Sequence, residues 1–141
     1  MGMPSGIGII DTMIGFPAED FRQYDFIRAQ LKDPSAKFDF PELVFVTRHG
    51  CEPWEQLAVK LMLKWPNLYY STSAFAPKHY PREIISYANT RGADKIIYAG
   101  YFPMGLSLER IFSDMPHVPF KDEVWPKFLH ENARRVLKLG Q

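Results

Sequence analysis

The side chains able to do chemistry in this 141-residue chain are few, and they gather at four places. His49 follows the apolar run Leu43 to Thr47 and precedes Glu52-Pro53-Trp54. An imidazole titrates near neutrality, so at the end of a strand it is a candidate general base. The plainer reading is a histidine fixed by hydrogen bonds beneath the Pro53-Trp54 turn. Cys51 lies two positions on and suggests a thiol nucleophile, but closeness in sequence does not supply the geometry of a Cys–His pair. Ser71, Thr72 and Ser73 either line a pocket or cap the segment that follows them. Tyr101 carries a phenol that can donate a hydrogen bond to a substrate oxygen. Asp11 either binds a ligand or holds the end of the strand it closes, while His79, His117 and His130 lack metal-type spacing and read as surface or structural residues.

The elements that must position these groups follow from periodicity. Ile7 to Asp11 reads as a short strand, broken by Gly15-Phe16-Pro17, and Ala18 to Lys32 as a helix stopped by Asp33-Pro34-Ser35. Leu43 to Thr47 is a β-branched and aromatic run of the kind found in strands covered on both faces. Pro53 is placed to open a helix whose Trp54, Leu57, Ala58, Leu61 and Met62 recur at helical spacing and should face inward. Leu68 to Ser71 is the next strand, and Pro81 opens a helix with Ile84, Ile85 and Ala88 inward. Gly92 then occupies the place of a left-handed helix terminator. Lys95 to Tyr98 is a further strand, and two helices follow, near Leu106 to Phe112 and Asp122 to Leu139, the second broken near His130. Strand starts near 43, 68 and 95 are spaced by 25 and 27 residues with a helix between each pair. That is the length of a βα unit, and such crossovers imply parallel neighbours. In parallel βα structures, chemistry collects where strands hand over to helices. Asp11 to Gly15, His49 to Glu52, Ser71 to Ser73 and Ala99 to Met104 are those segments.

Bulk properties bound the possibilities. The chain is 46% hydrophobic and 23% charged, a single-domain length of ordinary globular composition, predicted as α/β. A formal net charge of +1 and no concentrated basic face argue against nucleic acid as a partner. No run approaches the roughly 20 apolar residues of a membrane span. One cysteine cannot make an internal disulfide. The N-terminus lacks a signal-peptide pattern, and Gly6 stands where a myristoylation signal wants Ser or Thr. The expected location is cytoplasmic.

The handover segments carry a resemblance. Asn67-Leu68-Tyr69-Tyr70-Ser71-Thr72-Ser73-Ala74-Phe75 resembles the seventh strand of the amidohydrolase-related family, which includes aminocarboxymuconate semialdehyde decarboxylase and its hydrolase and hydratase relatives. His49-Gly50-Cys51-Glu52-Pro53-Trp54 is similar to its sixth-strand histidine and the Pro-Trp after it. Arg91 to Tyr98 leads into a strand like its eighth, Phe128 to Leu137 with the Glu131-Asn132-Ala133 core is similar to its closing helix, and Ile9 to Gly15 aligns with its first strand. The resemblance implies a partial or derived TIM (β/α)8 barrel with strands 1 and 6–8 recognisable, in a fold that typically needs about 250 residues. Residues 7–17 would be the first strand, 18–41 a helical segment and junction, and 42–141 the C-terminal βα units. The middle strands would fall at a join between Phe38 and Pro41. Four strands cannot close a barrel, so the chain forms an open sheet, completes itself by association as a homo-oligomer, or is an incomplete version of a longer protein. An open sheet would leave two bare edges.

The same resemblance sets expectations for the site. The family holds a divalent metal, usually zinc, with two first-strand histidines, middle-strand ligands and an eighth-strand aspartate. Met13 and Gly15 stand where the histidines belong and Tyr101 where the aspartate belongs, either as a hydrogen-bond donor or as a plug. His49 alone survives, as general base or substrate contact, and one histidine cannot hold zinc. No conventional mononuclear metal site is therefore expected in this chain; the alternative is a rearranged site or ligands supplied by another subunit. Asp11, Met13, Ser71 and Ser73 are the expected substrate-binding residues. The implied function is a hydrolase or decarboxylase for a small carboxylate- or amide-like substrate with a degenerate metal site. The alternative is a non-catalytic descendant that binds a ligand or partner. An unrelated open-sheet binding module is the third reading.

Overall fold

A computed structural model describes residues 43–140. Three parallel strands form its sheet in sequence order: β1 (Phe45–Thr47), β2 (Leu68–Ser71) and β3 (Ile96–Ile97). The register pairs Val46 with Tyr69 and Tyr70 with Ile96. Helix α1 (Glu55–Lys64) crosses from β1 to β2, and α2 (Arg82–Tyr87), extended by a π turn at Ala88–Gly92, crosses from β2 to β3. After β3 come α3 (Leu108–Asp114), then α4 (Val124–Pro126), a π turn (Lys127–Glu131) and α5 (Asn132–Val136) in one helical run. The π turn lies where a break was expected near His130. Asp11, Met13, Gly15 and the elements expected before residue 43 lie outside the described residues.

Period-two alternation sorts the strand side chains. Tyr70, Ile96 and Tyr98 join the larger core with Ala58 and Met62 of α1 and Ile84, Tyr87 and Ala88 of that second crossover. Tyr69 and Ile97 pack on Ala133 in a smaller cluster, with Val46 and Val136 against it. Rings carry much of the larger core: Phe128 meets Tyr98 edge-on at 5.9 Å and Phe120 at 5.0 Å.

The outer side of β3 is not bare. Lys95 and Ile97 turn their carbonyls to β2, accepting from Tyr70 and Thr72, so alternate residues face away. The Tyr98 N–H donates to the Phe128 carbonyl at 2.9 Å, and Asn132 Nδ2 donates to the Ile96 carbonyl at 2.9 Å and to the Ala93 carbonyl at 2.7 Å. The closing helical run thus satisfies the backbone that an adjoining strand would otherwise pair.

Four local expectations are corrected. The run Leu43 to Thr47 yields a strand of three half-buried residues, not one covered on both faces. Pro53 does not open α1: Cys51 to Trp54 is a turn closed by the Trp54 N–H on the Cys51 carbonyl at 2.7 Å, and the helix starts at Glu55. Of the predicted inward stripe only Ala58 and Met62 are buried, whereas Trp54, Leu57 and Leu61 are 64%, 50% and 38% exposed. The i, i+4 pair facing the sheet is narrower than the apolar stripe, and no described element covers its flank. Gly92 sits within the π turn, and its requirement is space: a Cβ there would stand 2.3 Å from the Tyr87 ring.

Candidate functional site

The C-terminal ends of the three strands lie along one edge of the sheet, and the sequence hands each a different group. β1 ends at Thr47 and turns through His49, Gly50 and Cys51. His49 and Cys51 both adopt left-handed backbone, with φ of 55° and 58°. Such torsions are uncommon outside glycine and cluster where surrounding structure over-determines them. The His49 side chain is exposed, and Cys51 is half-buried against the larger core.

β2 ends at Ser71, and Thr72 and Ser73 follow it, three consecutive hydroxyls that are all buried: Ser71 is 3% exposed, Thr72 1% and Ser73 1%. Each reaches a different target. Ser73 Oγ accepts the His49 backbone N–H at 2.9 Å, across to the β1 turn. Thr72 Oγ1 accepts the Ala99 N–H at 3.2 Å and donates to the Ala99 carbonyl at 3.4 Å, across to the β3 side. Ser71 Oγ accepts the Ser73 N–H at 3.4 Å. Ala74 then takes φ 72° as the chain turns away.

Beyond β3 the chain runs through Tyr98, Ala99 and Gly100, all buried, to the half-buried Tyr101. The Tyr101 carbonyl accepts the Gly105 N–H at 3.1 Å, closing a turn that holds its ring close to Gly105. His49 and Tyr101 therefore lie on either side of the Ser71-Thr72-Ser73 segment. Neighbouring strands are spaced by about 4.8 Å, so two flanking strand ends stand on the order of 10 Å apart.

Beneath the His49 turn, Tyr70 is fully buried and its phenol is pushed far above the ordinary tyrosine range. Burial is the main cause, and the negative charges available to Cys51, Glu55, Glu52 and Tyr80 add to it. The turn thus covers a dry interior.

No group of three His, Cys, Asp or Glu side chains able to hold a metal exists among the described residues. His49, Cys51 and Glu52 are neighbours along one turn, and zinc wants three or four converging protein ligands. The described donor set does not fit the metal centre that the resemblance implies. His49 lies just beyond the C-terminal end of β1, at the strand-to-helix handover where its sequence position puts it. His79 and His117 are exposed and His130 is half-buried in the closing run. Two surface grooves lie elsewhere, between α1 and α2, sharing Gln56, Lys60 and Glu83.

Thr72 is signalled in sequence by three hydroxyls in a row after a strand, whereas no local pattern points to Asn132 as the group that seals β3. No described helix is long and apolar enough to cross a membrane.

The architecture has counterparts among solved structures. An uncharacterised TIM-barrel protein from Bordetella bronchiseptica is 27% identical with a TM-score of 0.63, over 88% of this chain and 43% of that one. An amidohydrolase 2 from Bifidobacterium longum subsp. infantis is 22% identical with a TM-score of 0.54, over 74% of this chain and 44% of that one, a likeness of fold. The chain spans less than half the length of either. No curated protein matches it. The amidohydrolase family pattern matches residues 21–139, which extends the likeness upstream of residue 43 and leaves out residues 7–17. By that match, the chain belongs to the amidohydrolase family.

Proposed function

We propose that this chain forms part of an amidohydrolase-type barrel that acts on a small carboxylate- or amide-like substrate, by hydrolysis or decarboxylation, through a degenerate site at the C-terminal edge of the sheet. In this reading β1, β2 and β3 are the sixth, seventh and eighth barrel strands. The family match from residue 21 supports taking residues 18–41 as barrel sequence leading into β1. The first-strand assignment of residues 7–17, with Asp11 and Met13 at the substrate, rests on its motif.

The observation that carries the proposal is His49: an exposed imidazole on a left-handed turn at the strand ends, its backbone tied to a buried hydroxyl. There it would take a proton from water or substrate, while Tyr101 donates to the substrate oxygen as charge develops. No step is assigned to a metal, because the described donor set does not fit one.

The test is hydrolysis of p-nitrophenyl acetate together with metal analysis of the purified chain. His49→Ala is expected to lower kcat/KM by about 100-fold, as loss of a general base does. Stoichiometric zinc or manganese that disappears in His49→Ala would overturn the degenerate-site reading. Turnover indifferent to His49 would favour the second reading, a non-catalytic ligand-binding descendant. The burial of Ser71 and Ser73 counts against their expected role as substrate contacts in either reading. Self-association is proposed with either reading, since Leu57 and Leu61 of α1 and Trp54 just before it are exposed apolar side chains, and size-exclusion with light scattering tests it.

A further inference from the structure

We infer that Ser73 is a positioning residue for His49, and that the hydroxyl run at the end of β2 holds the loops on both sides of the site in register. This rests on the proposed role of His49. The turn that presents the imidazole has two non-glycine residues in left-handed backbone, a conformation that isolated chains populate sparsely. Something must hold it there, and the contact that crosses from the neighbouring strand is the His49 N–H on Ser73 Oγ at 2.9 Å. Ser73 is 1% exposed, so the acceptor side of this part-buried hydrogen bond is withdrawn from water. Its own backbone N–H is taken by Ser71 Oγ at 3.4 Å, which links the acceptor to the strand.

Thr72 does the corresponding work on the other side. Its hydroxyl accepts from the Ala99 N–H and donates to the Ala99 carbonyl, so one side chain pins both polar groups of the residue two before Tyr101. The two residues that follow β2 thus divide the work: Ser73 reaches the β1 turn and Thr72 the segment after β3. Burial and these bonds favour positioning over direct substrate contact for Ser73 and Thr72.

The inference makes a crossed prediction. In the full chain, Ser73→Ala should speed amide exchange at His49 by about five- to tenfold, the worth of one hydrogen bond, and leave Ala99 unchanged. Thr72→Val should do the reverse. Ser73→Thr keeps the hydroxyl and should restore His49 protection. With p-nitrophenyl acetate, Ser73→Ala should lower kcat by a similar factor at unchanged KM, and Ser73→Thr should recover it. A structural role alone would move urea stability without that split or rescue. Unchanged His49 exchange in a folded Ser73→Ala variant overturns the inference, as does equal loss at His49 and Ala99 in both variants. Should the wild-type chain fail to turn over the ester, the proposed function falls, and the exchange pattern alone still decides whether Ser73 holds His49.

Discussion

The two ends of the sheet are secured by different chemistry. At the N-terminal end, long cationic and amide side chains reach across elements to backbone carbonyls. Lys95 Nζ donates to the carbonyls of Trp65, Pro66 and Leu68 and lies 4.8 Å from the Tyr69 ring centre. Arg135 donates to the Asp94 carbonyl at 2.7 Å and to the Tyr69 hydroxyl at 3.2 Å, and Asn132 seals the Ala93 and Ile96 carbonyls. At the C-terminal end the links are short buried hydroxyls, and the backbone they hold leads to an exposed His49 and a half-buried Tyr101. The first arrangement ties many elements together and leaves few reactive groups poised. The second fixes backbone while leaving an imidazole and a phenol available. In barrel folds this is the division between a stability face and a chemistry face.

The sharpest way to break that contrast is at Asn132. It is 1% exposed and its amide serves two carbonyls, one of them on β3 itself. Asn132→Ala strands buried acceptors and opens a cavity, for an expected loss of about 2–4 kcal/mol in urea unfolding. A loss no larger than that of Ser73→Ala would show that the two ends do not differ in what they contribute. Alkaline pH gives the next largest effect. The Tyr70 phenol has its folded pKa raised, so the folded chain keeps a proton that the unfolded chain gives up near pH 10. Stability is therefore intact below pH 10 and falls above it, by up to about 1.4 kcal/mol per pH unit for this group. Unfolding midpoints measured from pH 8 to 11 check this, and Tyr70→Phe should flatten the slope. An unchanged slope would mean that the turn above Tyr70 does not keep it dry.

How much of this was legible depended on range. The strand Leu68 to Ser71 was readable from its run of apolar and aromatic residues, because a central strand buried on both faces writes its burial directly into the sequence. The parallel order followed from crossover length, and His49 at a strand end from the same units. Tyr98 was expected inside a strand but leaves β3, since its N–H goes to Phe128, a partner 30 residues away that no local pattern reveals. Gly92 was placed correctly as a break but for the wrong reason: a ring on the preceding turn, not backbone handedness, demands glycine. Leu57 and Leu61 satisfy helical periodicity yet remain exposed, because periodicity gives a face and not its cover. For the Ser71-Thr72-Ser73 run the alternatives are pocket or cap: Ser71 does cap the Ser73 N–H, whereas Thr72 and Ser73 take a third use, anchoring the neighbouring segments.

The smallest expected effect probes the chemistry face most directly. Gly105 is exposed, and a Cβ built on it would stand 2.9 Å from Tyr101 Cδ1 and 3.0 Å from Cε1. Gly105→Ala must therefore displace that half-buried ring by a few tenths of an ångström. Stability should change by less than about 0.5 kcal/mol, as for surface substitutions that break no buried contact. The Tyr101 ring resonances should nonetheless shift, and ester turnover should fall if the phenol touches substrate. A larger stability loss would mean that Tyr101 is a packing element, and the C-terminal end would then resemble the other more than its hydroxyl links suggest. Unchanged turnover with a shifted ring would remove Tyr101 from the site and leave His49 as the group on which the chemistry depends.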